Sequence, residues 1–158
     1  MIRIVLSLLV SILFLVSCAT DTATITVQTD EVEVEGFRGI EWDTPLEKIK
    51  SDMVLVGKNE DKELEWCNRK GEDLSIGEAK MESIHYVFYQ DLFFRISMIA
   101  RGADNYKALR DHFIAGYGKA DSSTEYSYTW NFEKTRIMFG YNPSTEVSLL
   151  ILQKNRTY

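Results

Sequence analysis

The sequence predicts an α+β domain, an antiparallel sheet with two helices on one face, and three observations carry that prediction. Two amphipathic helical patterns, one opening at Thr44 and one at Asp104, are each followed by a series of strand-like runs. Tyr126, Tyr128, Trp130 and Phe132 alternate with Ser127, Thr129, Asn131 and Glu133, the mark of a half-buried antiparallel strand. With 45% apolar and 27% charged residues in 158, the chain has the composition of one folded domain of ordinary size.

Before that domain comes a segment of different character. Arg3 is followed by an apolar stretch from Ile4 to Val16, broken only by Ser7 and Ser11, and Ser17 is small: the layout of a secretory signal. A transmembrane anchor needs about 20 apolar residues to cross about 30 Å of hydrocarbon, more than this run holds, and no Lys or Arg follows until Arg38. An uncleaved anchor and an ordinary signal peptide are the alternatives. From Ala19 to Glu35 the chain is rich in Thr, Asp and Glu and has little to bury, so residues 18–35 read as a flexible tether with an r.m.s. span of roughly 20 to 25 Å. Ile25, Val27 and Val32, Val34 carry a competing period-two signal for an edge strand.

The domain is expected over 36–158. Its first helix is predicted at Thr44-Pro45-Leu46-Glu47, where Thr44 and Glu47 can form a capping box around a proline at the first helical position. Leu46, Ile49 and Met53 then face inward, and the helix ends near Asp52. Strands are predicted at 53–56, 63–67, 84–89 and 93–100, the last two joined tightly through Gln90, Asp91 and Leu92, with 69–80 as a polar loop. The second helix runs from Asp104, as its cap, to about Ala115, stops at Gly116 and Gly118, and carries Tyr106, Leu109, Phe113 and Tyr117 on one stripe. Strands at 125–133, 136–142 and 146–153 complete the chain. Thr44, Leu46, Ile49, Met53 and Asp104, Tyr106, Leu109, Phe113 share one spacing at an offset of 60 residues. A duplicated helix-plus-meander unit would produce this, and so would chance alignment of two amphipathic helices.

Charge and thiols narrow the function. The formal net charge of −6 argues against nucleic acid and against attraction to anionic lipid head groups. Two cysteines, Cys18 and Cys67, leave no intramolecular disulfide once Cys18 is used for attachment. Cys67 with His85 or His112 would make a thiol hydrolase if the fold assembled them, but Cys67 lies in a strand-like run where a small buried residue is the simpler account. No spaced set of ligands points to a metal, and no cofactor motif is present, so neither is expected. Tyr86, Phe88, Phe93 and Phe94 crowd one hairpin so densely that they form the candidate partner surface, the alternative being that loop or tether covers them.

Leu15-Val16-Ser17-Cys18 resembles the bacterial lipoprotein lipobox. That resemblance implies cleavage of residues 1–17, diacylation of the Cys18 sulfur and attachment to a lipid bilayer through acyl chains. With Ala19 rather than aspartate next, it implies the outer membrane, facing the periplasm. The signal, the tether and the run Gly39-Ile40-Glu41-Trp42-Asp43-Thr44-Pro45-Leu46-Glu47-Lys48-Ile49 also resemble a loose group of small bacterial lipoproteins of undetermined role. The helix-then-strands layout is similar to the small lipoprotein of the outer-membrane β-barrel assembly machine and to the β-lactamase inhibitor protein fold, although Trp42-Asp43-Thr44-Pro45 stands where the assembly lipoprotein has Gly-Met. The function expected is a non-catalytic binding or scaffolding module for another envelope protein. The alternatives are an envelope hydrolase or its accessory subunit, and an inhibitor of a periplasmic enzyme.

Overall fold

In a computed structural model, residues 33–155 are described, and they form an α+β domain built on an eight-stranded antiparallel sheet. Residues 1–32, with the signal, Cys18 and most of the expected tether, lie outside the described residues. The chain enters through a two-residue hairpin, β1 (Gly36–Phe37) and β2 (Ile40–Glu41), then α1 (Leu46–Ile49) and a 3-10 turn at Lys50–Asp52. Strands β3 (Met53–Asn59) and β4 (Leu64–Arg69) follow, and a small hairpin, β5 (Ser75–Ile76) with β6 (Ala79–Lys80), occupies the expected polar loop. Next come β7 (Ser83–Tyr89), β8 (Leu92–Arg101) and α2 (Ala103–Tyr117). The chain closes with β9 (Ser122–Ser123), β10 (Ser127–Asn131), β11 (Thr135–Asn142) and β12 (Val147–Lys154). Across the sheet the order is β3-β4-β7-β8-β12-β11-β10-β9, so β8 and β12 pair at its centre.

One face of the sheet carries the core. Ile84, Tyr86 and Phe88 of β7, Phe93, Ile96, Met98 and Ala100 of β8, and Ile137 and Phe139 of β11 are all at most 3% exposed. Both helices press on these residues' side of the sheet. Tyr106 of α2 stacks on Tyr141 and Phe139 with ring centroids 4.4 and 5.5 Å away, and Phe113 meets Trp130 at 6.0 Å. Leu46 of α1 joins the same cluster. Each such aromatic or aliphatic side chain contributes about 1.5–3 kcal/mol by leaving water, and this packing is what the fold stands on, since Cys67, the thiol among the described residues, is unpaired.

Three local expectations are corrected. The capping box at Thr44 does not form: α1 has no side-chain cap, and Pro45 is extended, bridging to Leu92. Tertiary bonds replace it, with Leu46 N–H donating to the Asp91 carbonyl at 2.8 Å and Phe93 N–H to the Thr44 carbonyl at 3.0 Å. These bonds hold Thr44 against the β7–β8 turn, where its hydroxyl is not needed. α2 likewise starts one residue before Asp104, with Gly102 at the cap position, and runs through Gly116 to stop at Gly118, whose N–H bonds the Ile114 carbonyl at 2.9 Å. The shared helical spacing breaks as well, because Met53 opens a strand while Phe113 lies inside a helix of 15 residues.

The domain boundary also moves. Residues 33–35, expected in the tether, belong to the fold: Val34 is 8% exposed, and its carbonyl accepts from the Trp42 indole and from the Thr135 hydroxyl. Glu33 accepts from the Lys134 backbone N–H at 3.0 Å, and Glu35 pairs with the Lys134 ammonium. That pairing holds the Glu35 carboxyl below its ordinary range and raises Lys134.

Candidate functional site

The aromatics expected as a partner surface are core residues. Tyr86, Phe88 and Phe93 are 0% exposed and Phe94 is 8% exposed, so they present no surface to a partner. Ordinary strand alternation turns Phe93 and Phe94 to opposite sides of the sheet, and a β-bulge in β8, where Phe93 pairs with Phe88 and Arg95 with Val87, leaves Phe94 as the unpaired residue. Phe93 packs between Trp42, Tyr86 and Phe88 at 4.9 to 5.7 Å, whereas Phe94 meets Tyr89 edge-on at 6.0 Å and lies beneath the Arg95 guanidinium at 5.2 Å. Among the described residues the first group is covered by the segment around β1 and β2 and by Glu72 of the loop at 69–80, the expected alternative. Tyr86 donates its hydroxyl to Glu72 at 2.7 Å, Glu72 pairs with Arg38, and Arg38 reaches the Ser75 carbonyl at 2.5 Å. Burial, with the Glu72 carboxylate second, pushes the Tyr86 phenol well above its ordinary value.

Cys67, His85 and His112 are not brought together. Cys67 pairs with Tyr86 in register and shares its face, so His85, the next residue along β7, points to the other side of the sheet, where its Nδ1 lies 2.7 Å from Asn68 Oδ1. His112 is on the outer part of α2, against Gly77. Cys67 is 1% exposed, and burial, followed by the charge of Glu65, raises its thiol pKa, the opposite of what a nucleophile needs. It lies at the floor of a cleft of about 550 Å³ between α1 and the β3–β4 edge, lined by Leu46, Met53, Leu55, Glu47, Glu65 and Asp91. Carboxylates and Lys50 ring the mouth, and the thiol at its floor is held protonated by burial. Among the described residues no cluster of His, Cys, Asp and Glu could hold a metal, and no helix is long and apolar enough to cross a membrane.

The feature missed in the sequence is the face of the sheet opposite the helices. Register places three rows of side chains across it. One row runs Trp66, Val87, Arg95, Gln153, Arg136, Asn131; the next Val54, Asn68, His85, Ser97, Ile151, Met138, Thr129; the third Ser83, Ile99, Leu149, Gly140, Ser127. None is a carboxylate, in a chain with 24 Asp and Glu. Val54 and Leu149 are 47% and 44% exposed, and Arg136, Asn131 and Ser127 are exposed. Val87, in the first of these rows, is 0% exposed, so the face is open only in part. The signal was present in the chain as a second apolar parity on β12, where Leu149 and Ile151 alternate with the core residues Leu150 and Leu152. Only the strand order shows which rows those residues join.

Compared with protein-family models, curated proteins and solved structures, the chain matches none.

Proposed function

We propose that the protein is a lipid-anchored, periplasm-facing lipoprotein of the bacterial outer membrane whose domain binds or scaffolds another envelope protein. The observation that carries this is the apolar run ending at Leu15-Val16-Ser17-Cys18. Two or three acyl chains on Cys18 hold firmly where one binds only reversibly, since each buried methylene is worth about 0.8 kcal/mol. The fold is compatible in one respect: among the described residues its contacts begin with Glu33, 15 positions after Cys18. The strand order supports a further proposal, a duplicated helix-plus-strands unit, because each helix precedes a series of strands that ends at the central β8–β12 pair.

Mass spectrometry of the protein isolated from its own envelope tests the attachment. The expected product begins at Cys18 and carries diacylglyceryl and a further acyl chain, and a mature terminus elsewhere or an unmodified Cys18 overturns it. Replacing Cys67, His85 and His112 together tests the absence of catalysis, since a binding module keeps its role in the cell and an enzyme using those groups loses it.

A further inference from the structure

Strand β3 ends the sheet: β4 pairs with it on one side and, among the described residues, no strand pairs with it on the other. Such a margin presents a row of backbone donors and acceptors, which folded proteins commonly guard with charged side chains. Here the middle of the strand is Val54-Leu55-Val56, three successive aliphatics that are 47%, 55% and 49% exposed. Leu55 is opposite Cys67 in register, so it stands on the helix side of the sheet, where it lines the cleft of about 550 Å³ beside Leu46 and Met53. Beyond a bulge that leaves Val56 without a partner in β4, the surroundings turn acidic. Lys58 is matched by Glu65 at 3.2 Å, and Glu60, Glu63 and Asp91 line the same hollow with no second cation among its lining residues.

We propose that β3 takes an extended segment of another polypeptide as an added strand, with an aliphatic side chain lying over Leu55 into the cleft and lysine or arginine toward Glu60 and Asp91. In this mode of recognition backbone pairing supplies affinity, while the side-chain pocket and the charges supply selectivity. An antiparallel partner, the more stable arrangement, runs from the Asn59 end toward Met53, so its basic residues precede its apolar ones. Charge and pleat select this occupant over two others. The chain's own residues 19–32 carry Asp21, Asp30 and Glu31 and no Lys or Arg, the wrong sign for the acidic end. A second copy's β3, laid antiparallel about a two-fold axis near Leu55, sets residues before the bulge against residues after it, where the extra residue has shifted the alternation of faces by one. The inference rests on the binding-module reading and names the surface and the partner chemistry for it.

The test uses the full chain in detergent and a short synthetic peptide that opens with lysines and continues as alternating valine and threonine. Beside it run the same peptide with glutamates for the lysines and the same peptide with alternate backbone nitrogens methylated, which keeps the side chains and removes the ladder. The lysine peptide is expected to bind at least about tenfold more tightly than either, to weaken as salt is raised, and to slow hydrogen exchange over Val54–Val56. Leu55→Lys, and Glu60→Gln combined with Asp91→Asn, are each expected to weaken it at least about fivefold, while Ile114→Lys, at an exposed aliphatic on α2, changes it less than about twofold. Unfolding midpoints show that each variant keeps its fold, and Leu55→Ser replaces Leu55→Lys if that one does not. No binding of the lysine peptide, equal binding of the glutamate or methylated peptide, or equal loss with Ile114→Lys overturns the proposal. Exchange over Val54–Val56 that slows with protein concentration in the absence of peptide overturns it too, by making a second copy the occupant. An unmodified Cys18 together with the expected peptide binding sinks the membrane attachment and leaves this edge standing; a correctly lipidated Cys18 without that binding does the reverse.

Discussion

The indole N–H of Trp42 donates to the hydroxyl of Thr135 at 2.7 Å, joining residues 93 positions apart. The Thr135 hydroxyl in turn donates to the carbonyl of Val34, which also accepts from the same indole at 3.1 Å. Thr135 is 0% exposed and Trp42 9%, so this three-way junction fixes the entering chain to the end of β11 out of contact with water. Thr135→Val leaves the indole one partner and is expected to cost about 1–2 kcal/mol; Trp42→Phe, which also loses packing on Phe93, about 2–3. Denaturant unfolding of both and of the double variant should give a sum that is not additive.

The Cys67 thiol is expected to react with a neutral alkylating reagent at least about a hundredfold more slowly in the native protein than in the unfolded chain, because it is 1% exposed and burial keeps it protonated. Its labelling rate should track the opening of the β3–β4 edge as denaturant is added. Rapid native labelling would show that the cleft between α1 and β3 opens to its floor.

Alkaline pH separates two groups of tyrosines. Burial, then Glu72, raises Tyr86; burial, then Tyr128, pushes Tyr106 up to about 12; burial raises Tyr117. The folded protein therefore keeps protons that the unfolded chain loses near pH 10, so what these tyrosines contribute to stability is constant below about pH 10 and is lost as pH rises further. Phenolate absorbance should titrate in an ordinary fraction and a delayed one, and Tyr86→Phe should shrink the delayed fraction.

Gly77 turns the β5–β6 hairpin at φ +56, and a Cβ there would come 2.6 Å from His112 Nδ1. Gly77→Ala is expected to lower stability by roughly 1–2 kcal/mol, part backbone strain and part collision. Adding His112→Ala should recover the collision and leave the strain, which thermal unfolding of the three variants resolves.

The parts legible in the sequence were those with a regular period. The aromatic alternation in β10 and the stripe Tyr106, Leu109, Phe113 of α2 are read correctly, because each is set by one element burying one side. What escaped depends on two elements at once. Thr44 carries a strong capping signal, but its backbone is claimed by Phe93 and its helix by Asp91, bonds that local spacing cannot reveal. Phe93 and Phe94 look alike in sequence, yet one packs on Trp42 and the other on Tyr89, and the bulge that leaves Phe94 unpaired has no local signal. The helix-free face is built by strands taken from both halves of the chain, so its lack of carboxylates becomes visible only when β8, β12 and β11 are placed side by side.

The strand nearest the carboxyl end, β12, lies between β8 and β11 and is the sole covalent-order latecomer on which the middle of the sheet depends. Until Val147–Lys154 arrives, β3 to β8 and β9 to β11 are two unjoined halves with open inner edges. A chain made head first therefore cannot close the middle of its sheet until its last strand is present.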